Sequence, residues 1–171
     1  MTLTAEPPIL SDEEFWRLQQ TDGSVRGYEL EEGRLVPMAP IHDPQSSSWG
    51  KLFLRLGLYL EQHPVGRVWL DFATYLDRCH RYFPDIVYLA NEDMYRYDGE
   101  KIVGVPTMVC EVASKESRER DRQEKMRAYY GAGVAWYWLL DLVDGRMEEY
   151  RWEESGYQLV SRVVASRTLS G

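Results

Sequence analysis

Four apolar segments of strand length, and the residues that punctuate them, limit the fold of this chain more than any other feature. VWLDFATYL (68–76), FPDIVYLA (83–90) and PTMVCEVA (106–113) come first, set apart by turn-prone or polar residues, and VAWYWLLD (134–141) follows. β-branched and aromatic side chains dominate them, as expected of strands. The first three predict a meander or something close to it, and the fourth, apolar on both faces, predicts an interior strand. Between the third and fourth, residues 117–130 read as a helix, with Ser117 as N-cap, Met126, Tyr129 and Tyr130 toward the core, and Gly131 or Gly133 as the stop.

Other elements flank this set. Residues 1–10 are Pro-rich and expected to be loose. SDEEFWRLQQ (11–20) carries Ser11 three residues before Glu14, the capping-box spacing of a helix start, with Phe15 and Leu18 on one face. GYELEEGRLVPMAP (27–40) places two alternating runs around Glu32-Gly33, a hairpin with Glu29 on its first strand. Trp49, Leu52, Phe53, Leu56, Tyr59 and Leu60 recur at helical spacing until Pro64 and Gly66 end the run. NEDMYRYDGEKIVG (91–104) reads as a polar surface insertion, and RMEEYRW (146–152) with YQLVSRVV (157–164) as a closing hairpin. The order is helix, three strands, helix, strand, with strand additions at both ends, in one domain spanning residues 1–171.

Acidic balance bears on what such a domain can bind. Twenty Lys and Arg against 28 Asp and Glu give a formal charge of −8, which opposes nonspecific coating of nucleic acid through a basic surface. Residues 115–127, KESRERDRQEKMR, are locally positive. No apolar run has the length of a membrane span, and the N-terminus lacks the pattern of a signal peptide, so a cytoplasmic location without membrane association is expected. Cys79 and Cys110 show no metal-ligand spacing and are expected reduced, Cys110 within the core. No P-loop, Gly-rich dinucleotide turn or nucleophile motif is present.

Three positions combine into a candidate site. Asp85 follows Pro84, which cannot donate a ladder hydrogen bond, so the pair belongs at a strand start where a carboxylate reaches solvent. Glu111 interrupts the apolar run MVCEVA on the same face as Val109 and Ala113, a placement that calls for a partner or a metal. Lys125 shares a helical face with Arg118, Asp121 and Arg122, and Asp121 stands four residues before it as an ion-pair partner. Two acids on adjacent strands, with a lysine from the next helix, can hold a divalent cation beside a phosphodiester and steer a water at it. Taken singly, each has a structural explanation: a turn aspartate, a strand-end salt bridge, a surface ion pair.

FPDIVYLA, PTMVCEVAS and the spaced run Asp121, Lys125, Tyr129, Gly133-Val134, Tyr137-Trp138-Leu139-Leu140-Asp141 resemble the Uma2-type family of the PD-(D/E)XK nuclease superfamily, described as restriction endonucleases. The resemblance covers most of the chain. It implies an α/β (α+β) fold with a restriction-endonuclease-like core, a central mixed sheet flanked by helices, to which the N-terminal hairpin is added. It implies Mg2+- or Mn2+-dependent attack of water on a DNA phosphodiester. Asp85 and Glu111 would be metal ligands, helped by the backbone carbonyl of Val112, and Lys125 would be the displaced superfamily lysine. Glu29 matches an N-terminal acidic position that binds metal directly or through water. Asp121 and Asp141 match family positions too, which helix pairing and strand termination explain equally.

The sequence departs from the pattern at two places. Ala113 stands where the superfamily lysine is usual, so Lys125 must reach in from the helix; Lys115 is a rival if its strand continues through Ser114. Gln45 takes the place of a family histidine, with His42 three residues upstream. These departures and the acidic balance keep open a second reading, a nuclease-like domain without activity that serves as an oligomeric binding module. Hydrolysis of a smaller phosphoester uses the same groups. The aromatic cluster around Trp136, Tyr137 and Trp138 suits core or subunit packing, or stacking on unpaired bases. A homodimer or higher homo-oligomer is expected, with DNA as the partner.

Overall fold

A computed structural model describes residues 9–164 apart from 22, 24, 41 and 42, and the side chains of 43–45 are likewise outside the description. His42 and the Gln45 side chain therefore lie outside the described residues, as do residues 1–8. Eleven strands are found among the rest: β1 Tyr28–Glu31, β2 Arg34–Pro37, β3 Gly66–Leu70, β4 Thr74–Tyr75, β5 Arg81–Tyr82, β6 Ile86–Ala90, β7 Ile102–Val103, β8 Met108–Ala113, β9 Trp136–Asp141, β10 Arg146–Arg151 and β11 Gln158–Val164. The helices are α1 (Asp12–Thr21), α2 (Asp43–Gln62) and α3 (118–132).

The central sheet is mixed and six-stranded, in the order β11-β10-β9-β8-β6-β3. β3, β6 and β8 form the expected antiparallel meander, and α3 carries the chain over to β9, which lies parallel to β8. β8 is buried along its whole length because both faces are covered. Val109 and Ala113 pack into the main core with Tyr129, Tyr137 and Leu139, while Met108 and Cys110 face Leu52, Phe53 and Leu56 of α2. Glu111 has the parity of Val109 and Ala113. Its side chain consequently emerges on the α3 face.

Two expectations about this region change. VWLDFATYL is not one strand: at Asp71 the backbone turns into the left-handed region, with φ 42°, and the chain leaves the central sheet after β3 to enter a second one at β4. That sheet has the order β2-β1-β5-β4-β7, so the N-terminal hairpin is part of a five-stranded layer rather than an isolated addition. Nor is the segment 91–104 wholly superficial. After a 3₁₀ turn (Asn91–Arg96), Ile102 in β7 pairs in parallel with Thr74 and is completely buried.

Local sequence accounts for the joints. Ser11 Oγ accepts the Glu14 N–H while Glu14 Oε2 accepts the Ser11 N–H at 2.9 Å, the reciprocal cap that starts α1. The β1–β2 turn has positive φ at both Glu32 (51°) and Gly33 (76°), the conformation that matches strand twist in a two-residue hairpin. Leu10, expected to be loose, donates its N–H to the Gly33 carbonyl and packs against the Phe15 and Leu30 cluster. The turn from β8 into α3 is built by two serines: Ser114 Oγ accepts the N–H groups of Glu116 and Ser117, and Ser117 Oγ accepts that of Ser114. Ser117 holds the N-cap position, yet its hydroxyl is not what satisfies the first helical amides. Gly133, at φ 89°, ends α3 as expected.

α3 is not a uniform helix. Arg118–Arg120 is α-helical, Asp121–Lys125 is a π-helical turn, and Met126–Ala132 returns to α geometry. A π turn accommodates one more residue than an α turn and shifts the faces on either side of it.

Candidate active site

β6 and β8 bring the first two acids together. Their last paired residues are Ile86 and Cys110, and one step further the same antiparallel register sets Asp85 opposite Glu111. Directly opposed side chains share a face with their Cβ atoms about 5 Å apart. Asp85 also extends the ladder: its Oδ2 accepts the Val112 N–H at 2.6 Å. A strand residue turns its N–H and C=O to the same edge, so the Val112 carbonyl faces the edge where Asp85 stands.

Lys125 reaches this pair from the π turn. Its Nζ donates to Glu111 Oε1 at 3.1 Å and lies 3.1 Å from Oε1 of Glu29, which comes from β1 in the other sheet. Glu29 is fully engaged: Oε1 also accepts the Phe83 N–H, and Oε2 takes Nη1 of Arg120 at 2.6 Å. Arg120 is further held by Glu31. Tyr129, one α turn beyond Lys125, donates to Glu111 Oε1 at 2.8 Å. Glu29, Glu111, Asp121 and Lys125 are each at most 6% exposed.

Glu29, Asp71, Asp85, Glu111, Asp121, Arg120 and Lys125 line one narrow cavity of about 50 Å³. That is room for a few waters or a hydrated ion. Five carboxylates face two cations, and the protonation equilibria reflect the imbalance. Burial is the largest influence on Asp85, pushing its carboxyl up to about 7; Asp121 and Asp71 push the same way, against Val112 and Lys125. Glu111 is pushed up to about 8 by burial, with Asp121, Asp85 and Glu29 adding to the rise and Lys125 opposing it. Burial also raises Asp121 and Asp71. Glu29 goes the other way, because Lys125, Arg120 and the Phe83 amide outweigh its burial. Lys125 stays protonated: burial disfavours its charge, but Glu111, Glu29 and Asp121 hold it above its ordinary value.

Among the described residues, no three Asp, Glu, His or Cys side chains stand close enough to hold a metal ion by themselves. Asp85 and Glu111 offer only oxygen donors, and their charge is under-compensated. That donor set fits a small hard cation such as Mg2+, which uses one or two carboxylates and keeps several waters.

The structure thus brings Asp85, Glu111, Val112, Lys125 and Glu29 to one place. Asp121 joins them in the cavity wall, although the close ionic partners of Lys125 are Glu29 and Glu111. The shared face expected for Arg118 and Arg122 is not found: both arginines bind Asp141 Oδ2, while Lys125, in the same π turn as Arg122, meets Glu29 and Glu111. Asp141 is a structural residue that also caps the β9–β10 turn through the Val143 and Asp144 amides. Lys115 is exposed in the turn after Ala113, where the strand has ended. Asp71 and Arg120, absent from the candidate site expected from sequence, also line the cavity. An acid inside an otherwise apolar strand run was the available signal for Asp71; Arg120 had none within its charged run.

No curated protein matches the chain. Among solved structures, it is similar to one described as a putative nuclease belonging to DUF820 from Anabaena variabilis ATCC 29413. The TM-score is 0.70 at 16% identity over 88% of this chain and 83% of that one, a likeness of fold. Among the described residues no helix is long and apolar enough to cross a membrane. The sequence profile described as "Uma2: Putative restriction endonuclease" matches residues 12–171, which include every member of the cavity. The chain belongs to the Uma2 family.

Proposed function

We propose that this protein is a divalent-metal-dependent nuclease that hydrolyses DNA phosphodiesters. The observation that carries the reading is the convergence of opposed Asp85 and Glu111 with a buried, protonated Lys125 in one cavity. Asp85, Glu111 and the Val112 carbonyl would hold Mg2+ or Mn2+. A bound cation supplies Lewis-acid polarisation of a phosphate oxygen and makes its water more acidic.

The chain's own groups do the rest. Lys125, kept charged by the acids around it, orients the attacking water and offsets negative charge that builds on the phosphate. Glu29 sits behind the lysine and fixes the direction of its amine, a positioning role consistent with both of its oxygens being occupied. In this reading Glu29, which the resemblance assigns to the metal directly or through water, would act on it through Lys125. Two copies related by a two-fold axis would suit duplex DNA, and we include a homodimer in the proposal.

Incubating supercoiled plasmid with protein and Mg2+ or Mn2+ tests the reading. Nicking should require the cation and fall at least about 100-fold in Lys125→Met and Asp85→Asn, the scale of losing a principal electrostatic group. Cation-independent nicking, or equal nicking by all three proteins, would refute it. Cation binding without nicking would favour the oligomeric binding module, a reading supported by the commitment of Arg120 and Lys125 to acids within the protein.

A further inference from the structure

The two donors to Glu111 fall on the same oxygen. Lys125 Nζ, at 3.1 Å, and Tyr129 Oη, at 2.8 Å, both donate to Oε1. The tyrosine has little freedom to turn away. It is completely buried, with its ring centroid 5.2 Å from that of Tyr82 and 5.6 Å from that of Tyr137, so packing fixes where the hydroxyl points. A carboxylate with one oxygen doubly engaged presents the other one. Such a group ligates a cation through a single oxygen.

Resting on the metal-dependent reading above, we propose that Tyr129 is a positioning residue that determines which cation the site accepts. By occupying Oε1 it holds Glu111 to one-oxygen ligation, which suits Mg2+. Mg2+ requires near-octahedral geometry at short distances, whereas Ca2+ accepts six to eight oxygens and readily takes both from one carboxylate. Removing the hydroxyl leaves Oε1 held by Lys125 alone and less restrained from rotating toward the cation, and the larger ion gains more from it. The phenol neither touches the cation nor exchanges a proton in this role.

Calorimetric titration of the whole protein with Mg2+ and with Ca2+, for wild type and Tyr129→Phe, provides the test. The variant should shift the ratio of the two dissociation constants toward Ca2+ by about tenfold, the scale of one hydrogen bond to a charged group. Tyr129→Phe with the wild-type ratio would overturn the proposal. Wild type that binds neither cation, or binds them equally well as Asp85→Asn, overturns the metal reading itself, a result distinct from an unchanged ratio. An infrared measurement on wild type does not depend on the variant folding. In the Mg2+-minus-free difference spectrum, carboxylate bands that vanish in Glu111→Gln should show the wide splitting of one-oxygen ligation. A narrow splitting would overturn the assignment.

Discussion

Lowering the pH from 8 to 6 should weaken Mg2+ or Mn2+ binding by about 500-fold. In the free protein Asp85 is pushed up to about 7 and Glu111 up to about 8, in both cases chiefly by burial. A cation requires both ionised. At pH 8 roughly one tenth of Asp85 and one half of Glu111 carry a proton to be displaced; at pH 6 roughly nine tenths and nearly all do. Summed over the two acids, the difference is about 2.7 decades, or about 4 kcal/mol. Both folded pKa values lie above those of the unfolded chain, so between about pH 4 and pH 8 the folded state holds protons that the unfolded state has lost. The cation-free protein therefore loses stability progressively from about pH 4 until both acids are ionised near pH 8, and a saturating cation, which keeps both acids ionised, should flatten that slope. Calorimetry at pH 6, 7 and 8, in buffers of different protonation enthalpy, measures both affinity and proton release. Release should be about 1.4 protons per cation at pH 7. An affinity flat with pH, with no proton release, would show that these two acids are not the ligands or are already ionised.

Three further outcomes follow from the same geometry. Lys125→Met leaves Glu111 and Glu29 without their shared cation and should cost about 3 kcal/mol in denaturant melts at pH 9, less at pH 6 where Glu111 is protonated; a pH-independent loss would contradict the pairing. Asp85→Asn removes a charge directly opposite Glu111 and should stabilise the cation-free protein at pH 8 by about 1 kcal/mol while abolishing the rise in Tm on adding Mg2+. Ser114→Ala deprives the Glu116 and Ser117 amides of their acceptor, and urea unfolding should register a loss of about 1 kcal/mol.

Much of this arrangement was legible from local pattern. Glu111 could be placed on the face of Val109 and Ala113 because strand alternation is strict, and Lys125 on the following helix because the run ends in a glycine that permits positive φ. Pro84 marked where β6 begins. Less legible was anything set by pairing between distant segments. VWLDFATYL has the composition of one strand throughout, and its partition between two sheets depends on a left-handed turn at Asp71 that a non-glycine residue does not announce. Ile102 sits in a polar stretch, so its burial follows from pairing with Thr74 rather than from its neighbours. The separation of Arg118 and Arg122 from Lys125 is hidden for a related reason: the α-helical period of 3.6 does not hold through the π turn at Asp121–Lys125.

That π-helical turn makes α3 two helices out of phase. The part before it presents Arg118 to Asp141, and the part after it presents Tyr129 to Glu111, with Asp121 and Lys125 in the wider coil between. Straightening the turn into ordinary α geometry at the same residue count would rotate everything downstream by about 100°. The helix would survive with its hydrogen bonds intact, yet its lysine and tyrosine would swing off the acid they serve. Removing one residue from the pentad would restore that phase: the wide coil is how the chain holds one extra residue without moving the site.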